Sequence, residues 1–384
     1  MKKKILAILI SMTLIQEAYC DPPADLFGKN LLDNGGFQTM NPSDTVPAGW
    51  TVKSTGSNAT VSADPEKALV EKNSLKISMP ESGDTGTLVS CDPVSVTPGK
   101  RYLFSVAFRQ EGMSVLENDH YPFKGVDAQA TIYWLGSDDR LIKADTIGLP
   151  YGPCAWDFRD LIVEAPGGAE RASINLAMSN NSLKTSGTNI PSIIWWDAVQ
   201  LREYTPPVGE SAAPQAQSQV FHPAAESSWS GMNGEWSHTV EDKEAQAGQA
   251  LEALASGKTG LVTDSPQLSH MPAGLYRLKA KVSISETGSD VSIGYIDVNS
   301  QYAASRTILY IIPNKFSAAG QYTDIQGDFI VRDNGWNAIS AYTEGLQKWK
   351  IDSIEIIPLV VFSQADLQQM FPSYDSATPE ERKP

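Results

Sequence analysis

What most constrains this chain is a rhythm. From residue 28 to 359, short alternating runs rich in Val, Ile, Tyr, Phe and Trp follow one another, separated by turn clusters such as "NPSD", "APGG", "DNG" and "SETGSD". Side chains two apart share a strand face, so each run buries one face and leaves the other polar. Many such runs with short turns between them read as antiparallel sheets, and sheets with one apolar face pack against each other. Sustained helical periodicity is missing. Two stretches alone read as helix: Asp242–Ala255, weakened by Gly248, and Ser363–Phe371, where Ser363 and Asp366 have the spacing of a capping box.

The composition breaks at "YTPPVGESAAPQAQSQ" (Tyr204–Gln219), which is rich in Pro, Ala, Ser and Gln and reads as a linker. The order of features repeats across it. "TPGKRYLFSVAFR" (Thr97–Arg109) is echoed by "PAGLYRLKAKVSI" (Pro272–Ile284), and "IIWWDAVQL" (Ile193–Leu201) by "WKIDSIEII" (Trp349–Ile357). The expectation is an all-β chain of two tandem sandwiches, residues 28–203 and 220–359, joined by linker 204–219 and followed by a polar tail, 360–384, with a short helix.

Lys2, Lys3 and Lys4 precede an apolar run, Ile5–Ile15, too short to span a bilayer, and small residues follow at Ala18 and Cys20. Residues 1–20 therefore read as an export signal. The alternative, a lipid on Cys20, is opposed by Glu17 and Tyr19, which depart from a lipobox. The expected location is secreted, periplasmic or cell surface, with no membrane span. In an oxidising compartment Cys91 and Cys154 read either as a disulfide or as two buried thiols. The formal charge of −15 argues against a nucleic-acid partner, which needs clustered Lys and Arg to displace counterions.

The repeated strand places Asp197 and Asp352 inside apolar runs. Strict alternation puts Asp197 in phase with Trp195, Val199 and Leu201, and Asp352 in phase with Ile354 and Ile356, which points both into the core. A carboxylate there needs partners. Backbone N–H groups from a loop would supply them, and so would a Ca²⁺ shared with loop carbonyls.

"NLLDNGGFQ" (Asn30–Gln38), "PAGW" (Pro47–Trp50), "PGKRYLFSVAFR", "ATIYWLGSDDRLI", "CAWDFRDLIVEAPGGAERASINLAM" and "IIWWDAVQL", in that order, resemble the CenC-type carbohydrate-binding modules, which are galactose-binding-like jelly rolls. The resemblance covers residues 28–203, and the second half resembles the same fold class more loosely. It implies two jelly rolls, a polysaccharide or glycan partner and no catalysis. It also implies a structural Ca²⁺ at Gly36, Gln38 and Asp197, although Gln38 replaces an acid common at that position.

Sugars offer C–H faces to aromatic rings and hydroxyls to polar groups. Strand phase suggests one platform of Arg109, Tyr133 and Asn175. Loop aromatics Tyr121, Phe123, Tyr151 and Trp156 form a second set, with Trp336 in the second half, while Trp50, Trp134 and Trp195 are assigned to the core. No H-E-x-x-H, G-x-S-x-G, P-loop or G-x-G-x-x-G is present. Asp138–Asp139 and Glu241–Asp242 read as turn charges, since adjacent carboxylates point apart. The leading expectation is an exported, non-catalytic glycan binder. The alternatives are an adhesive protein using the same sandwiches for protein contacts, and a polysaccharide-degrading enzyme with an unrecognised site.

Overall fold

A computed structural model of the chain describes residues 26–41, 45–54, 59–70, 72–79, 86–112, 126–149, 153–180, 191–207, 218–231, 234–266, 268, 271–300, 303–332 and 337–370. The expected signal segment, Tyr121, Phe123, Tyr151 and Trp336 lie outside these. The first half contributes β1 (Phe27–Asn30), β2 (Trp50–Ser54), β3 (Thr60–Asp64), β4 (Ser74–Met79), β5 (Thr87–Cys91), β6 (Val94–Ser95), β7 (Arg101–Glu111), β8 (Val126–Leu135), β9 (Leu141–Gly148), β10 (Cys154–Glu164), β11 (Arg171–Asn180) and β12 (Ser192–Tyr204). The second contributes β13 (Gln219–Phe221), β14 (Ser237–Glu241), β15 (Gln249–Ala253), β16 (Gly260–Asp264), β17 (Gly274–Ile284), β18 (Gly294–Ser300), β19 (Ala303–Ile311), β20 (Thr323–Val331), β21 (Asn337–Thr343) and β22 (Trp349–Val361), then helix α1 (Gln364–Met370).

Each half is a sandwich of two antiparallel sheets, and the sheet orders match. In the first half one sheet runs β10-β7-β12-β4-β3 with β1 on β12, and in the second its counterpart runs β20-β17-β22-β15-β14 with β13 on β22. The facing sheets run β9-β8-β11-β5-β2 and β19-β18-β21-β16. The expected tandem all-β architecture is therefore present. The internal repeat extends to an opening strand, β13, that the sequence does not mark.

Alternation is read correctly where strands are unbroken. Tyr102, Phe104, Val106 and Phe108, then Ala128, Ala130, Ile132 and Trp134, then Ile174, Leu176 and Met178 all enter the first core. The second core is built likewise from Leu278, Ala280, Val282, Ile296, Val298 and Ile339. Asp242–Ala255 is a turn followed by β15 rather than a helix. Leu251 and Ala253 alternate into the second core, and β15 is paired on both sides by β14 and β22, which outweighs local propensity. The tail helix is present, and the Ser363 amide donates to Asp366 Oδ2 at 2.7 Å while the Asp366 amide donates to Ser363 Oγ at 3.2 Å. Cys91 and Cys154 are not joined. Burial pushes their thiols up, to about 11 and about 12 respectively.

The two sandwiches are welded together. Leu26, Phe27, Leu103 and Tyr204 pack with Leu275, Ile330, Leu359, Val360, Phe362 and, from α1, Leu367. The segment after residue 359 is thus part of this contact, and β22 itself runs to Val361. Buried charges cross the same boundary. Arg332 donates to both carboxylate oxygens of Asp160, with Nε–Oδ2 at 2.8 Å, and to Ser105 Oγ at 2.9 Å. Asp328 receives Arg277 Nε at 2.7 Å, the Tyr204 hydroxyl at 2.9 Å and Arg101 Nη1 at 3.3 Å.

Candidate functional site

Both acids of the repeated strand are fully buried, and both sit at β-bulges. Asp197 pairs with Ala107 while Gln200 pairs with Ser105, so one residue too many stands on β12, and Ala198 takes φ 46°. On β22 the pairing jumps from Ile351↔Val282 to Ser353↔Lys281, leaving Asp352 as the extra residue. A bulge breaks the two-residue period. Core side chains consequently fall three apart, at Trp196 and Val199 and again at Ile351 and Ile354. The core phase expected for the acids is corrected accordingly. Asp197 shares the outer face of its sheet with Ala107, and Trp195 packs there with Leu69 and Trp156 while Trp196 takes the core position.

The turn above each acid supplies backbone donors. Asp197 Oδ2 accepts from the Leu69 and Val70 amides at 2.9 and 2.8 Å, and Oδ1 from the Ala198 amide at 2.7 Å. Asp352 Oδ1 accepts from the Gln246 amide at 2.9 Å, and Oδ2 lies 3.1 Å from Lys281 Nζ. These arrangements hold turns to sheets, and the carboxylates face no open cleft.

Gly36, Gln38 and Asp197 are brought together. The side-chain nitrogen of Gln38 points at three carbonyls, those of Gly36, Val70 and Asn73, the last two at 3.0 Å, while its oxygen accepts from the Lys72 amide at 2.8 Å. Gly35 is required beside them, because a Cβ there would lie 1.9 Å from the Val199 carbonyl oxygen. An amide NH₂ has two hydrogens for three carbonyls. Carbonyl oxygens beside a carboxylate are donor types that Ca²⁺ takes, although here the Gln38 nitrogen meets those carbonyls and three backbone amides meet Asp197. Among the described residues, no cluster of three or more His, Cys, Asp or Glu could hold a metal.

The expected sugar platform does not form as one surface. Arg109 lies on β7, paired with Trp195 and 3.3 Å from Glu111, whereas Tyr133 and Asn175 lie on β8 and β11 of the opposite sheet. A full sandwich separates them. Tyr133 is half-buried and Asn175 is 3% exposed, in a polar network where Ser90 Oγ donates to Asn175 Oδ1 at 2.7 Å and Ser173 Oγ donates to the Cys91 carbonyl at 2.9 Å. Trp156 belongs to β10 and is buried on the outer face beside Trp195 rather than standing in a loop.

The matching face of the second sandwich carries a feature that the sequence reading missed. Tyr295 on β18 is in register with Tyr342 on β21 and with Tyr310 on β19, so three rings form a row across three adjacent strands. Tyr295 and Tyr342 stack at 5.0 Å with 19° between planes, and Tyr295 and Tyr310 lie 6.5 Å apart. Tyr310 is 52% exposed and its two neighbours are half-buried. One step along the same face, Asp297 pairs with Ser340 and Ser340 with Asp264, and Asn299 donates from Nδ2 to Ser340 Oγ. Burial, and secondarily Asp297, raises the Tyr295 and Tyr342 hydroxyls above their ordinary value, which keeps both rings neutral donors. The exposed Tyr310 ring at the end of this row can stack a pyranose, and the half-buried Tyr295 and Tyr342 hydroxyls can bond its hydroxyls, while Asp297 and Ser340 are buried beside the row. The available signal was tyrosine on the polar phase of "GYIDV" and "ISAYT".

No protein-family model matches the chain, and no curated protein matches it in sequence. Among solved structures it is similar to the N-terminal CBM22-1–CBM22-2 tandem domain of Paenibacillus barcinonensis Xyn10C, at 13% identity over 87% of this chain and 98% of that one, with a TM-score of 0.30. It is also similar to TmCBM61 in complex with β-1,4-galactotriose, at 13% identity over 46% and 99%, with a TM-score of 0.30. The enzymatically active domain of bacteriophage CBA120 tailspike protein 4 matches at 20% identity over 45% of this chain and 21% of that one, with a TM-score of 0.33. The chain thus spans about a fifth of that tailspike chain. None of these likenesses decides a ligand.

Proposed function

We propose that this is an exported, non-catalytic carbohydrate-binding protein, akin to the CenC-type modules that its first half resembles, and that it takes its glycan on the tyrosine row of the second sandwich. The observation that carries this reading is the in-register row Tyr295–Tyr310–Tyr342 on an outer sheet face next to Asp297, Ser340 and Asn299. Three aligned aromatic rings serve no core there, since Ile296, Val298 and Ala341 fill the core from the same strands. The export reading rests on Lys2–Ile15 of the sequence. Among the described residues no helix is long and apolar enough to cross a membrane. The test is retention of the full chain on insoluble polysaccharides together with a glycan array. Wild type should be retained and Tyr295→Ala should not, and retention unaffected by that change would remove the reading.

A structural Ca²⁺ at Gly36, Gln38 and Asp197 belongs to the same proposal, with Gln38 turning its side-chain oxygen to the ion in place of the nitrogen that now faces the Gly36, Val70 and Asn73 carbonyls. When bound it would cross-link the opening segment, the β3–β4 turn and β12. Chelation should lower the melting temperature by roughly 5 °C if the ion is present at a hundredfold its dissociation constant, and an unchanged temperature would remove the ion.

A hydrolytic reading has one observation in its favour. Asp264 and Asp297 flank Ser340 on one face, two strand spacings apart, about 10 Å between Cα atoms. Paired carboxylates of inverting glycosidases stand roughly 6.5–9.5 Å apart. Reducing-sugar release from a polysaccharide panel, abolished by Asp297→Asn, would establish it in place of binding alone.

A further inference from the structure

The groove between the two sandwiches is a second place that suits a ligand. β9 and β10 end the two sheets of the first half, and β19 and β20 end those of the second. Four sheet edges therefore wall one cleft, and an edge strand presents backbone N–H and C=O groups outward. The cleft holds about 640 Å³, within the roughly 300–1,000 Å³ of small-molecule sites. Its walls do not spread apart freely, because the Arg332–Asp160 pair and the Asp328 cluster bind the halves beside it.

Apart from the exposed Lys315, the charges around the cleft stand beside partners of opposite sign. Lys143 lies 2.7 Å from Asp145, Arg101 lies 3.3 Å from Asp328, and Asp324 lies 3.1 Å from Lys279. An ionic ligand at any of these pairs would have to displace a partner, and Lys315 on the rim is a single cation. An uncharged polyhydroxyl ligand would not, because its hydroxyls can donate to carboxylate lone pairs that one cation leaves open. Tyr310 both lines the cleft and ends the tyrosine row, so the two places adjoin.

We propose that this cleft is an extension subsite for an uncharged oligosaccharide, taking the part of a chain that runs off the tyrosine row past Tyr310. The proposal rests on the glycan-binding reading of that row. It makes affinity depend on chain length and assigns the distal units to side chains of both sandwiches.

Gly148→Trp is the test variant. Gly148 lines the cleft and is exposed, its φ lies outside the left-handed region, and a Cβ there would meet nothing within 4 Å, so a large side chain can enter without moving the backbone. Lys315→Ala with Gln326→Ala is a second variant that removes exposed polar groups from the rim. Titration calorimetry would use β-1,4-xylose, β-1,4-glucose, β-1,3-glucose and β-1,4-galactose oligomers of two to eight units, after melting curves show that each variant folds. Wild type should bind long oligomers about tenfold or more tighter than short ones. Gly148→Trp should erase that gain while leaving the shortest binder unchanged, and the rim variant should reduce it. If the length dependence of wild type and Gly148→Trp is the same, the cleft is not a subsite, although the tyrosine row remains one. If no oligomer binds wild type at all, the glycan reading itself falls and this proposal with it.

Discussion

The two sandwiches share one strand order and differ in what they put on one outer face. In the first half, the face of β5, β8 and β11 carries Ser90, Thr131, Ser173 and Asn175, all nearly inaccessible, with Ser90 bonded to Ser173 and Asn175 and Thr131 to Thr146. In the second half, the equivalent face of β18 and β21 carries stacked tyrosines with an exposed member on the edge strand. The inner faces of both are ordinary aliphatic and aromatic cores. Packing constrains one side of a strand and leaves the other free to diverge, so a duplicated fold can keep its frame and change its surface. The part of the chain that resembles a binding family is therefore not the part with the better aromatic platform.

The frame itself repeats in detail. At the end of β3, Asp64 accepts from Trp195 Nε1 at 2.9 Å, and just after β14, Asp242 accepts from Lys350 Nζ at 2.8 Å. Trp195 and Lys350 each stand two residues before the buried acid of their strand. The sister acids differ in their partners, with three backbone amides donating to Asp197 against one amide and an ion pair with Lys281 on Asp352.

That comparison can be broken at several strengths. The largest effect is expected where the halves meet. Arg332→Ala leaves Asp160 buried and should cost about 4 kcal/mol in denaturant unfolding, the range for breaking one side of a buried pair. A surface-like loss below about 1 kcal/mol would mean the halves are not welded. Next, Asp197→Ala orphans three amides and should cost about 3 kcal/mol, against about 2 kcal/mol for Asp352→Ala, whose lysine can turn to water. Equal losses would show that the two fasteners are equivalent despite their donors. Third, Tyr342→Ala should weaken glycan affinity about tenfold, roughly 1.4 kcal/mol, while Tyr133→Ala changes it less than about twofold. The smallest effect concerns acid. The hydrogen bond from Lys350 holds the Asp242 carboxyl below its ordinary value of 3.8. A depressed carboxylate stabilises the fold above its unfolded value, and that stability is lost as pH falls through the lower folded value. Asp242→Asn should therefore flatten the acid limb of a pH–stability curve below about pH 4, by about 0.5 kcal/mol.

Much of the frame was legible in the sequence because unbroken alternation is a local signal. Phe104, Ile132 and Leu176 could be assigned to a core from their neighbours alone. The bulges could not, since Ala198 at φ 46° and the extra residue at Asp352 are set by turns elsewhere in the chain. This is why Trp195 and Trp196 exchange their expected faces. Asp160 of the first sandwich and Asp328 and Arg332 of the second resemble surface charges until the two sandwiches dock. Strand phase groups Arg109 with Tyr133 because it says which side of a strand a residue takes, not which sheet the strand joins. The tyrosine row needs the register of three strands at once, although tyrosine on a polar phase was visible in each strand alone.

The most direct measurement is titration calorimetry of a retained glycan against wild type, Tyr295→Ala and Tyr133→Ala, with melting curves confirming that all three fold. The account predicts binding abolished or weakened at least about tenfold by Tyr295→Ala and nearly untouched by Tyr133→Ala. The reverse pattern, with Tyr133 required and Tyr295 dispensable, would place recognition on the first sandwich and contradict it.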